Sequence, residues 1–158
     1  MTTILSRSTE ATEELGARVG AQLGASATVA LFGELGAGKT VFVKGLARGL
    51  GVAATVTSPT FVLVAHHRGR LDLYHVDAYR LEHATPDEVR EVGLPELFAS
   101  EGICAVEWAE LVAPWLPAER LDIRLWHEPD GRKIELVAQG PRFERLLEEL
   151  RTDAPAGD

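Results

Sequence analysis

The octapeptide Gly33-Glu34-Leu35-Gly36-Ala37-Gly38-Lys39-Thr40 constrains this chain more than any other feature. It satisfies G-x-x-x-x-G-K-[ST] at every fixed position. Its setting matters as much as its letters. Thr28–Phe32 (TVALF) is a short, nearly all-apolar run that suits a strand buried on both faces of a parallel sheet. Lys39–Gly49 follows and reads as a helix, with Val41, Leu46 and, just beyond, Leu50 as its apolar points. A buried strand, a glycine-rich turn and a helix in direct succession form the P-loop arrangement. Glycine leaves no Cβ between backbone and phosphate, so the N–H groups of Glu34, Leu35, Gly36, Ala37 and Gly38 can cradle an anion. The helix N-terminus adds partial positive charge. In such loops the lysine, here Lys39, reaches the β- and γ-phosphates, and the hydroxyl, here Thr40, binds Mg²⁺. The chain has only three lysines, so Lys39 does not belong to a lysine-rich surface.

The flanking sequence predicts a three-layer α/β domain with a mixed, mainly parallel central sheet. Ser8 is set to cap a helix over 9–24. Two β-rich runs, Phe61–His66 and Leu71–Asp77, enclose a turn at Arg68-Gly69-Arg70. Pro86–Glu91 and Pro95–Ala99 read as short helices opened by proline at the first position. Gly102–Glu107 is another apolar strand, ending in an acid. Leu121–His127 and Arg132–Val137 alternate about Pro129-Asp130-Gly131, a hairpin, and Pro141–Leu150 is an amphipathic terminal helix. At 158 residues and 46% hydrophobic, residues 1–151 make one domain with a sizeable core, and 152–158 form a polar, disordered tail.

A P-loop site needs a carboxylate at the end of a neighbouring strand. Glu107 and Asp77 both stand at such ends, and the residues alone leave their roles open, since Asp77 also suits an N-cap. Thr57–Thr60 lies where a switch loop would sense the γ-phosphate. Trp108, directly after Glu107, is a candidate to stack on a ligand or partner, with core packing the alternative. His66 and His67 read as sheet or surface residues. Cys104 reads as an inert core thiol, and a single cysteine excludes an intramolecular disulfide.

The net charge of −8 is a poor footprint for autonomous nucleic-acid binding, so neither DNA nor free RNA is an expected ligand. No apolar run approaches a membrane span and the first residues lack a signal peptide's apolar core, which points to a cytoplasmic protein. Guanine recognition by an Asn-Lys-x-Asp motif is excluded, because the chain contains no asparagine. ATP is the expected nucleotide. Little chain is left for the lid of a small-molecule kinase, which stays as one alternative beside a non-catalytic nucleotide-gated adaptor.

GELGAGKT, TSPTF, HVDAYRL and VEWAE, in that order and spacing, resemble the TsaE (YjeE) family. The resemblance implies an ATPase of bacterial threonylcarbamoyladenosine (t6A) tRNA modification. Such an ATPase hydrolyses slowly alone and binds a TsaB–TsaD heterodimer, which it resets between turnovers, so tRNA is met only through the complex. It implies that residues Glu34 to Thr40 hold the phosphates and that Thr40 and Glu107 hold Mg²⁺. Asp77 would be the second acid needed for hydrolysis, and Thr60 would match the switch-like loop. Trp108 follows the metal acid as in the family pattern. Thr9, Gly131 and Arg132 fall on segments that border the adenine. Val41 departs from a family preference for a second threonine, which removes one possible α-phosphate contact, worth about 1 kcal/mol.

Overall fold

The computed structural model describes residues 1–34, 36–53 and 64–152. Its centre is a seven-stranded sheet in the order β1-β7-β6-β2-β5-β4-β3. The strands are β1 (Thr2–Ser6), β2 (Ala27–Gly33), β3 (Val64–His67), β4 (Leu73–Asp77), β5 (Ile103–Glu107), β6 (Arg120–Glu128) and β7 (Gly131–Gln139). The four middle strands, β6-β2-β5-β4, run parallel, and antiparallel pairs close both edges. The sheet is therefore mixed around a parallel centre.

Side-chain alternation on the buried strands divides the core in two. Leu31, Ile103, Ala105 and Ile123 point to one face, where they meet α1 (Thr9–Gln22), α2 (Lys39–Gly49) and α5 (Pro141–Thr152). Ala30, Val76, Cys104 and Val106 point to the other. There they meet the short helices α3 (Pro86–Glu91) and α4 (Leu94–Phe98), together with 3-10 segments at Ala78–Leu81 and Ala109–Trp115. This is the expected three-layer α/β arrangement.

Helix α1 starts where Ser8 accepts the Ala11 N–H at 3.0 Å, and it stops at Gln22, two residues short of the predicted end, with Leu23 as its cap. Helix α2 keeps the predicted bounds. The two helices approach closely along a glycine seam: Gly16 and Gly20 of α1 face the α2 backbone at Phe42 and Leu46, and Gly45 and Gly49 face the α1 backbone at Glu13 and Ala17.

Several boundaries differ from expectation. Strand β1 was not read from the sequence, and it pairs with β7 across almost the whole chain (Thr2↔Leu136, Ser6↔Arg132). Pro95 stands at the second position of α4, because Gly93 in a left-handed conformation caps that helix. Gly131 belongs to β7, opposite Glu128, so Pro129 and Asp130 alone make the hairpin loop. Thr152 closes α5, and the rest of the predicted tail, with Phe61 to Leu63 of the predicted strand, lies outside the described residues.

Candidate functional site

The site grows from the C-terminal ends of the parallel strands. Register places Glu107 between Leu31 of β2 and Asp77 of β4. Beyond β2 the chain runs through the glycine-rich loop into α2. Gly36 (φ 78°) and Gly38 (φ 107°) both take left-handed backbone there, and Gly38 is the N-cap of α2. A side chain would strain either position. Leu35 lies outside the described residues.

Lys39 and Thr40 open α2 and face opposite partners. Lys39 is only 5% exposed. Its Nζ donates to the carbonyl oxygens of Gly33 and of Glu34, the latter at 3.2 Å, and lies 3.7 Å from the centre of the Trp108 ring. Burial lowers the Lys39 pKa from its ordinary value, opposed by the negative charges of Glu107, Glu110 and Asp77. The ammonium is thus held among carbonyl dipoles and an aromatic face rather than in water. Thr40 donates its hydroxyl to Glu107, at 3.0 Å from Oε1 and 3.1 Å from Oε2. Glu107 is itself buried, at 5% exposure, and the His75 imidazole Nε2 meets its Oε2.

Trp108 carries a second signature of the site. Its backbone is left-handed (φ 58°, ψ 41°), an unusual state for a bulky residue. That turn takes the chain out of β5 and aims the indole back across Lys39, where it also meets the Tyr79 ring at 5.3 Å. The ring is partly buried against the second core cluster as well, so stacking and core packing are combined in one side chain. Asp77 likewise keeps both sequence-derived options. It caps the following 3-10 segment by accepting the Tyr79 N–H at 3.1 Å, and it lines the cavity beside Glu107.

That cavity holds about 600 Å³ and is walled by Lys39, Thr40, Asp77, Glu107, Trp108 and Tyr79, with Gly36, Gly38 and Val41 at its base. A second cavity of about 350 Å³ shares those last three residues. Its other walls are Ser6 to Thr9 and Thr12, from the end of β1 and the start of α1, together with Gly131 and Arg132 of β7. Arg132 also donates to the Gly36 carbonyl at 3.3 Å, tying the hairpin to the loop. The structure therefore brings together Thr9, the loop glycines, Gly131 and Arg132 on one side, and Lys39, Thr40, Asp77, Glu107 and Trp108 on the other. Glu34 is exposed on the rim and enters the site through its carbonyl. Thr60 lies outside the described residues.

His75 and Tyr79 were missed in the sequence reading. Both fall inside the HVDAYRL stretch that carries the resemblance, and His75 had a second signal: it stands two residues before Asp77 in a buried strand, hence on the same face. His66, read as a sheet or surface residue, stacks on Tyr74 and pairs with Asp72 at 3.4 Å at the far end of the strand. Cys104 is the buried thiol expected.

Could the site hold a divalent cation? Thr40 and Glu107 offer hard oxygen donors in contact with each other, suited to Mg²⁺. Among the described residues, no group of three or more His, Cys, Asp and Glu could hold a metal ion. That fits a cation bound by few protein ligands together with substrate phosphates. No helix among the described residues is long and apolar enough to cross a membrane.

Strand, glycine-rich loop and lysine-led helix, with an acid on the adjacent strand, define the class: an α/β protein of P-loop architecture. Comparison with known proteins narrows this. The profile described as threonylcarbamoyl adenosine biosynthesis protein TsaE matches residues 6–134. The tRNA threonylcarbamoyladenosine biosynthesis protein TsaE of Bacillus subtilis is 48% identical over 122 residues, 76% of this chain and 75% of that one. Its namesake in Treponema pallidum is 45% identical over 134 residues, 85% of this chain and 98% of that one. The crystal structure of YdiB from Bacillus subtilis superimposes with a TM-score of 0.81 at 37% identity, covering 97% and 96% of the two chains. The chain belongs to the TsaE family, whose role lies in threonylcarbamoyladenosine biosynthesis.

Proposed function

We propose that this chain is the Mg²⁺-dependent ATP-binding and ATP-hydrolysing component of the t6A system, and that it acts on the TsaB–TsaD complex to reset it between turnovers. The observation that carries this reading is the contact of the Thr40 hydroxyl with both oxygens of Glu107, one residue from the buried ammonium of Lys39. A hydroxyl, a carboxylate and an ammonium at a helix N-terminus suit a cation and a polyphosphate better than any neutral ligand.

In this reading the loop amides and Lys39 bind the phosphates. To do so, Lys39 exchanges its Gly33 and Glu34 carbonyls for phosphate oxygens. Thr40 and Glu107 would hold Mg²⁺, which would supply positive charge against the phosphates. The second cavity, between Thr9 and Arg132, receives the adenosine. Asp77 orients the attacking water. Docking on TsaB–TsaD completes the arrangement, so hydrolysis is slow until the partner binds. Loss of the γ-phosphate contacts then relaxes the interface.

The test is ATP hydrolysis by the purified chain, alone and with TsaB–TsaD from the same source, with Lys39→Ala as the control. Hydrolysis should rise in the complex and be lost in the variant. Losing charge-assisted hydrogen bonds of about 1.5–3 kcal/mol each weakens ATP binding by at least about tenfold. No stimulation and no binding to TsaB–TsaD would sink the assignment. ATP loss matched by a phosphorylated small acceptor would replace it with a kinase.

A further inference from the structure

We infer that His75 is a positioning residue for Glu107: it holds one carboxylate oxygen so that the other is presented to the metal ion. The inference rests on the reading of Thr40 and Glu107 as Mg²⁺ donors.

The argument begins with the freedom of a glutamate. The terminal torsion of a Glu side chain is broad and roughly two-fold, so its two oxygens are interchangeable unless something distinguishes them. At Glu107 something does. Among the described residues, Oε2 meets both His75 Nε2 and the Thr40 hydroxyl, whereas Oε1 meets the Thr40 hydroxyl alone. Thr40 is also the partner that must change when a cation arrives, since its oxygen is then needed as a donor. His75 is free of that duty. It lies fully buried on β4, two residue pairs behind Asp77↔Glu107 in register and so on the same face, with Ala105 opposite. From there the ring reaches the carboxylate from below the site.

The ring's other nitrogen fixes the chemistry. Nδ1 is buried and has no hydrogen-bond partner among the described residues. A carboxylate only accepts, so the hydrogen sits on Nε2. A hydrogen on Nδ1 would be a buried donor with nothing among the described residues to receive it, at a cost of about 1–3 kcal/mol. The Nε2–H tautomer satisfies the carboxylate and leaves only a bare lone pair at Nδ1. His75 is therefore committed to Glu107 and to nothing else described.

The experiment measures Mn²⁺ binding by electron paramagnetic resonance, in the full chain loaded with a non-hydrolysable ATP analogue. It compares wild type, His75→Leu and His75→Gln. Residues that orient metal ligands typically contribute about 10–100-fold to metal affinity, and that loss is expected for His75→Leu. His75→Gln, whose amide N–H can reach the same oxygen, should recover most of it. Affinity for the analogue in EDTA should be unchanged in both, which a merely structural defect would not allow. Equal Mn²⁺ affinity in all three chains overturns the inference and leaves the Mg²⁺ site standing. A wild-type chain that takes up no Mn²⁺ with the analogue overturns the Mg²⁺ reading and this inference with it. If His75→Leu does not fold, ¹⁵N resonances of the wild-type imidazole decide. Hydrogen on Nε2 is expected; hydrogen on Nδ1 with a bare Nε2 overturns the proposal.

Discussion

Cys104 and Glu107 stand three residues apart on β5 and meet opposite surroundings. Cys104 faces the apolar core, and burial pushes its thiol up from 9.0 to about 12. In the unfolded chain the thiol ionises near its ordinary value, while in the folded chain it stays neutral until much higher pH. This stability is present in full below the unfolded value and is lost as pH rises toward about 12. The slope inside that window approaches about 1.4 kcal/mol per pH unit. Urea unfolding of wild type and Cys104→Ala should show the wild type losing stability faster above about pH 9. A difference between the two chains that stays constant with pH would refute this. The same burial makes the native thiol unreactive toward alkylating reagents. Glu107 faces the other way, toward the face that carries α2. Its burial is offset by the hydrogen bonds of Thr40 and His75, as a buried carboxylate requires. The acid was legible in the sequence because it ends an apolar run. Its histidine partner was not, because one histidine inside a buried strand looks the same whether it serves a ligand or fills space.

At the level of elements, the α1–α2 seam governs how the two cavities are built. Helix α2 begins with Lys39, and α1 begins with the Thr9 wall of the second cavity. The glycines of the seam hold them in close contact. A Cβ on Gly45 would fall well inside contact distance of the Glu13 carbonyl, and backbone cannot swing aside as a side chain can. Gly45→Ala should gain about 0.5–1 kcal/mol in helix propensity. It should lose more than that to overpacking, which typically costs about 1–3 kcal/mol. A lower urea midpoint with an unchanged slope would register the net destabilisation. A variant more stable than wild type would show that the helices can separate freely. Element reading from the sequence succeeded where the signal was local. Helix α2 kept its bounds because a glycine-rich loop starts it and its own apolar spacing sustains it. It failed where the element exists only through a distant partner. Strand β1 alternates Thr, Ile and Ser with no run of its own, and becomes a strand by pairing with β7. The 3-10 segment at Ala109–Trp115 begins from the left-handed backbone of Trp108, which no propensity announces.

On the scale of the whole molecule, the parallel centre of the sheet gathers the charged cluster, and the antiparallel β1–β7 edge completes the wall of the second cavity. Asp77, Glu107 and the glycine-rich loop emerge together because β4, β5 and β2 are parallel neighbours. Ligands of open α/β sheets bind at the carboxyl ends of strands for this reason. The cluster of Lys39, Thr40, Asp77 and Glu107 was legible from motif and strand ends. The wall formed by Thr9, Gly131 and Arg132 came only through family resemblance, because it joins residues more than a hundred positions apart.

That junction ties the two ends of the chain into one cavity wall. Ser6 to Thr9 stand at its lip, and Gly131 and Arg132 enter from the last hairpin. A nascent chain displays the complete glycine-rich loop long before the hairpin exists, so the pocket has no second wall until synthesis has passed Arg132. Whatever then fills it clamps the first strand to the last. Hydrogen exchange should record this: ATP ought to slow exchange of the β1 amides as well as those of the loop. Unchanged β1 exchange at saturating ATP would break the link. If the link holds, occupancy of the site doubles as a check that β1 has found β7.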